Sequence, residues 1–150
     1  MIANETKMTD TVRLIINGPP TPQPRARIVK RGAFATAYDP AAKKKQIFRD
    51  AVRKQLHTEG IQFAQGTPIS VHMAFYLPLA KSLSKAQKKA KLEGSAPTAK
   101  PDADNLSRFS TDCLSGIVYH DDSQIVYLSV SKAYDEEPRT EITINRYSNA

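Results

Sequence analysis

The sequence predicts a single α+β domain, with a mixed sheet of about four main strands and two or three helices. Three observations carry that reading. Apolar and polar residues alternate near residue 12, across 68–77 and near the C-terminus, which is the period of half-buried strands. Apolar residues recur at helical spacing after Pro40 and after Asp104. No internal repeat or second domain interrupts the 150 residues. The domain is assigned to residues 11–147, with residues 1–10 expected to be flexible and 148–150 a short tail.

TVRLIIN sets Val12, Leu14 and Ile16 on one side of a first strand. The four prolines of GPPTPQPRARIVKRG exclude helix and predict an extended loop. Asp39-Pro40 reads as a cap and first helical residue, opening a helix to about His57. Ile47, Phe48, Ala51, Val52 and Leu56 form its expected buried stripe, and its other side is strongly basic. Residues 68–77 make the clearest strand. KSLSKAQKKAKLEGSAPTAK, within residues 81–100, has helix-forming residues around Ser84–Glu93 but little apolar face. It reads as a basic excursion at 81–99, mobile when no partner is bound. Asp104 is a candidate cap for a helix to about Ser115, burying Leu106, Phe109, Cys113 and Leu114. Strands at 124–134 and 140–147 follow, and DEEPRT is expected to join them as a hairpin.

Composition narrows the function. No apolar run approaches the ~20 residues of a membrane span, and MIANETKMTD lacks the apolar centre of a secretory signal. One cysteine, Cys113, permits no internal disulfide. These features predict a cytoplasmic protein. Residues 1–100 hold 18 Lys/Arg against 6 Asp/Glu; residues 101–150 hold 4 against 9. A basic portion suits phosphate, and an acidic one suits a hard metal ion.

The candidate chemistry lies in KPDADNLSR (100–108) and HDDSQ (120–124). Asp102 and Asp104 are two positions apart, so an extended backbone directs both to one side. Asp121 and Asp122 follow eighteen residues later. Converging carboxylates repel unless a divalent cation neutralises them, and Mg²⁺ suits phosphodiester hydrolysis. Each motif alone is also ordinary capping or turn chemistry. Arg108, four residues after Asp104, is either an i,i+4 ion-pair partner or a cation facing the scissile phosphate. Asp112 continues the same charged stripe. His57, His72 and His120 do not cluster, and Cys113 falls on an apolar face.

KPDADNLSR followed by IVYHDDSQI resembles the RusA-like Holliday-junction resolvases, and GPPTPQPRAR is similar to that family's early proline- and arginine-containing segment. The resemblance covers about residues 11–147. It implies a small homodimer that cleaves branched DNA, four-way junctions in particular, using Mg²⁺ with Mn²⁺ as a substitute. Asp102, Asp104 and Asp122 match the family's essential carboxylates, and Asp121 matches a less critical neighbour that could add to the metal site. Asn105 and Leu106 match the pair that follows in the motif. Arg108 departs from the pattern, which has a catalytic lysine there. Arginine keeps the charge but cannot donate a proton near neutral pH. Candidate DNA contacts are Arg25, Arg27, Lys30, Arg31, Lys43, Lys44, Lys45, Lys100 and Asn105. A DNA-binding protein with impaired catalysis is the alternative.

Overall fold

A computed structural model describes residues 10–24, 27–31, 34–38 and 40–148, with backbone only over 27–38. The elements are β1 (Thr11–Asn17), β2 (Arg27–Arg31), β3 (Phe34–Tyr38), α1 (Ala42–Gln55), β4 (Ile69–Leu77), α2 (Lys85–Gly94), α3 (Ala103–Leu114), β5 (Ile125–Tyr134) and β6 (Arg139–Arg146). The main sheet has four strands in the order β1-β6-β4-β5. β6 runs antiparallel to both its neighbours, and β4 pairs in parallel with β5. The fold is therefore α+β with a mixed sheet, as the patterning predicts.

Alternation decides which face is covered. Val71, Met73 and Phe75 of β4 point to one side with Val12, Leu14, Ile142 and Ile144, and all are buried. α1 and α3 close that side. Phe48 meets Phe109 edge-on, ring centroids 5.8 Å apart, and Val52, Leu106, Cys113 and Leu114 complete the layer. Each large aliphatic or aromatic side chain so buried contributes about 1.5–3 kcal/mol. No helix is long and apolar enough to cross a membrane among the described residues.

Several expectations need correction. Part of the proline-rich stretch expected to be loop is strand: β2 pairs antiparallel with β3 as a separate two-stranded ribbon. Asp39 lies outside the described residues, as do 1–9 of the expected flexible start and 149–150 of the tail. α1 begins two residues after Pro40, with Ala41 at its N-cap position and no side-chain cap. Ile47 is 62% exposed, because α1 turns Phe48 and Val52 inward instead. The expected hairpin between the last two strands does not form. β4 separates them, and the Asp135 amide donates to the Leu77 carbonyl at 3.0 Å, so the connection crosses the end of β4. β4 ends at Leu77, one residue before Pro78, which has no N–H to continue a ladder.

The sheet's two edges differ. On β1, the Gln55 side-chain amide donates to the Ile15 carbonyl at 2.7 Å and accepts from its N–H at 2.8 Å. On β5, no further strand pairs with the outer edge among the described residues, and Val126, Tyr127 and Leu128 are 54%, 52% and 44% exposed.

Candidate active site

α3 carries the first motif. Asp102 holds its N-cap position in extended conformation (φ −73°, ψ 143°), and its carbonyl accepts the Leu106 N–H at 3.0 Å. Asp104 sits in the first turn, so Asp102 rather than Asp104 opens the helix. The Asp102 carboxylate makes no capping hydrogen bond. Its one ion pair, to Lys100 at 3.9 Å, joins two exposed side chains and contributes little. Asp104 is also exposed. The helix end they occupy favours negative charge.

Two contacts fix this end through its backbone. The Asn105 carbonyl accepts the Gln23 N–H at 2.9 Å, which docks the proline-rich segment against the motif. Lys132, from the helix-covered side of β5, donates to the Ala99 carbonyl at 3.1 Å and the Pro101 carbonyl at 3.0 Å. Arg108 is exposed and forms no ion pair with Asp104 among the described residues, so the bland i,i+4 role is not taken up.

The second motif is built differently. Residues Asp122–Gln124 form one 3₁₀ turn. Asp121 caps it, accepting the Ser123 N–H at 3.1 Å, and the bonds with Ser123 hold its carboxyl below the usual range. Gln124 is buried with its amide fully used. Its oxygen accepts the His120 and Asp121 N–H groups at 2.8 and 3.1 Å, and its nitrogen donates to the Ala64 and Thr67 carbonyls at 2.9 and 3.0 Å. The carboxylate loop is thereby fastened to a segment some sixty positions earlier.

Asp122 accepts from the buried Tyr119 hydroxyl at 3.1 Å, and that hydroxyl also lies 3.3 Å from the Thr111 carbonyl. Burial pushes the Tyr119 phenol far above its ordinary value, and the Asp122 charge adds to the effect, so it stays a donor. Burial also raises the Asp122 carboxyl. The Tyr119 bond opposes this, and the nearby Asp112 and Asp121 charges reinforce it. Asp112 pairs with Lys45 at 3.6 Å, while Arg49 donates to the Asp112 carbonyl at 2.9 Å and reaches the Cys113 carbonyl at 3.4 Å.

Asp102 and Asp104 thus share the start of α3, whereas Asp122 is tied to its far end. Seven residues of helix separate Asp104 from Thr111, about 10 Å along the axis. Among the described residues no group of three or more His, Cys, Asp or Glu is arranged to hold a metal ion. Of the candidate DNA contacts, Lys43, Lys44 and Lys100 are exposed, whereas Lys45 turns in to Asp112. Arg25 lies outside the described residues, as do the side chains of Arg27, Lys30 and Arg31 on β2. Sequence reasoning assigned no role of their own to Tyr119, Gln124 and Lys132. Gln124 stood within the HDDSQ motif, and Lys132 is the sole charge between Ile125 and Tyr134.

Comparison with known proteins adds to this geometry. Residues 17–145 match the family described as Endodeoxyribonuclease RusA, a span that includes both aspartate motifs. The Bacillus subtilis (strain 168) protein named "Uncharacterized protein YqaN" is 34% identical over 142 residues, covering 93% of this chain and 99% of its own. The chain belongs to the RusA family of endodeoxyribonucleases.

Proposed function

We propose that this protein is a Mg²⁺-dependent endonuclease that resolves four-way DNA junctions as a homodimer, in recombination and repair in the cytoplasm. The observation that carries the reading is the Asp102 carboxylate. It stands where a cap belongs, yet makes no capping bond, beside an equally exposed Asp104 at a helix end that favours anions. These two hard oxygen donors fit Mg²⁺, which is usually held by one or two carboxylates together with waters and substrate phosphates. Mn²⁺ would substitute. A bound ion would supply charge neutralisation at the phosphodiester and an activated water. Asp102 and Asp104 would hold it. Arg108, one turn on and unpaired with Asp104, offsets charge on the phosphate without donating a proton. Lys43, Lys44 and Lys100, with the arginines near β2, hold DNA backbone.

Asp122 enters through the second copy. β5 has an open edge, no charge from Ile125 to Ser131, and three exposed apolar side chains, which is the usual profile of a strand that pairs with another chain. Antiparallel pairing of two β5 strands about Leu128 would set Asp122 of one copy across from Tyr134 of the other. That position neighbours the second copy's Lys132 and the loop before its Asp102. The two-fold symmetry also matches paired cuts in a junction.

The test is incubation with a synthetic four-way junction and Mg²⁺, beside fork, flap and linear duplex. Paired cuts in the junction are expected. Tight junction binding by folded protein without cleavage would favour the impaired-binder alternative, for which the arginine at 108 is the one feature. Leu128→Asp should give monomers by light scattering and lose cleavage; a fully active Leu128→Asp dimer would place the interface elsewhere.

A further inference from the structure

The first motif is held by its backbone, and one side chain does most of the holding. Lys132 lies opposite Phe75 in the β4–β5 register, so its stem is on the helix-covered side of the sheet. Its ammonium reaches the carbonyls of Ala99 and Pro101, on either side of Lys100. The Pro101 carbonyl belongs to the peptide unit that ends at the Asp102 nitrogen. Fixing that oxygen fixes the plane from which Asp102 departs, and with it the direction of the Asp102 side chain. Among the described residues no other hydrogen bond reaches that carbonyl. Pro101 has no N–H to anchor, Asp102 makes no capping bond, and its partner Lys100 is 88% exposed.

We propose that Lys132 is a positioning residue for the divalent-cation site, clamping the two carbonyls that precede Asp102 so that Asp102 and Asp104 present their oxygens together. The inference rests on the nuclease reading for the identity of the ligand, but not for the clamp. Lys132 touches neither DNA nor the cation. It acts through the backbone, as residues behind metal ligands commonly do. It also links the open edge strand to the carboxylates, so the strand proposed to meet a second copy is mechanically joined to the site.

The experiment compares wild type with Lys132→Met, which keeps the stem and removes the donors, and Lys132→Arg, which keeps charge and donors. In metal-free protein, amide hydrogen exchange at Asp102–Leu106 should accelerate in Lys132→Met, while exchange at Phe109–Leu114 stays as in wild type. Calorimetric Mn²⁺ affinity should fall at least about tenfold, with junction binding in the absence of metal unchanged. Single-turnover cleavage should need more Mg²⁺ yet recover most of its rate at saturation. Lys132→Arg should restore part of the affinity. Wild-type exchange at Asp102–Leu106 in both variants would overturn the clamp. Altered exchange with unchanged Mn²⁺ affinity would overturn its role toward the cation. Wild-type protein without Asp104-dependent Mn²⁺ binding would instead sink the nuclease reading, leaving the exchange result to judge the clamp alone. If Lys132→Met unfolds, the same three measurements on Lys132→Arg decide, because arginine's planar fork sets its donors at different positions from those of the ammonium.

Discussion

The two ends of α3 carry the same residue type and treat it in opposite ways. At the start, Asp102 and Asp104 are exposed, their side chains are almost without partners, and the backbone beneath them is clamped by Lys132 and Gln23. At the far end, Asp112 is spent on Lys45 and Asp122 on Tyr119, while Arg49 satisfies the last carbonyls. A carboxylate bonded within the protein gives up part of its capacity for a ligand; one that is positioned but unbonded keeps all of it. The contrast separates carboxylates left open to a ligand from carboxylates bonded within the protein.

The largest effect should come from the first end. Asp104→Asn removes a charge and almost no volume, so single-turnover junction cleavage should fall by at least about a hundredfold while junction binding stays. Cutting at the wild-type rate would show that this end is merely a helix start. Gln124→Ala breaks the other side of the comparison. It orphans two backbone N–H groups and two carbonyls, and should cost about 2–4 kcal/mol in urea unfolding at roughly 1 kcal/mol per bond. A loss under about half a kcal/mol would mean that the loop is fastened elsewhere.

Asp122 sharpens the contrast through pH. Its raised carboxyl means that the folded state holds this proton more tightly than the unfolded chain. Stability from this group is therefore present below the ordinary carboxylate value of 3.8 and is lost as pH rises through the raised value. Asp121 and Asp135 have the opposite sign. Their lowered carboxyls add stability above 3.8, and it is lost as pH falls through the depressed values. Asp122→Asn keeps the acceptor for Tyr119 and removes the repulsion with Asp112. Its melting temperature near neutral pH should match or slightly exceed wild type, although cleavage is lost. A clear drop would reveal that the charge itself is structural. The smallest change is expected at Arg108. Arg108→Lys should preserve or raise cleavage, because only the charge is required there. Complete loss would show that the guanidinium makes a contact lysine cannot copy.

Much of the site was legible because its signals are local. The apolar face of α3 follows from helical spacing, whereas the shared side expected of Asp102 and Asp104 assumed an extended backbone, and α3 already begins at Ala103. Arg108 could be named, and its freedom from Asp104 could not, since an i,i+4 pair is always open to it. Tyr119 looked like one more apolar residue before HDDSQ. Its meaning comes from the Thr111 carbonyl and Asp122 beside its hydroxyl. Gln124 reads as an ordinary polar residue until Ala64 and Thr67 arrive from the other side of the chain.

The sequence by itself determined the four main strands, the helices α1 and α3, the α+β class and the motif pair that marks the family, but not the β2–β3 ribbon or the outward position of Ile47. Each of the features it determined depends on neighbours within a few residues. The tertiary structure alone decided that β6 sits between β1 and β4, that β5 has no further strand on its outer edge among the described residues, and that Asp122 is tied through Tyr119 to the far end of α3. The physical reason is that a period of two tells a strand which side to bury but not which strand to pair with. That choice is made by ladders between strands far apart in the chain.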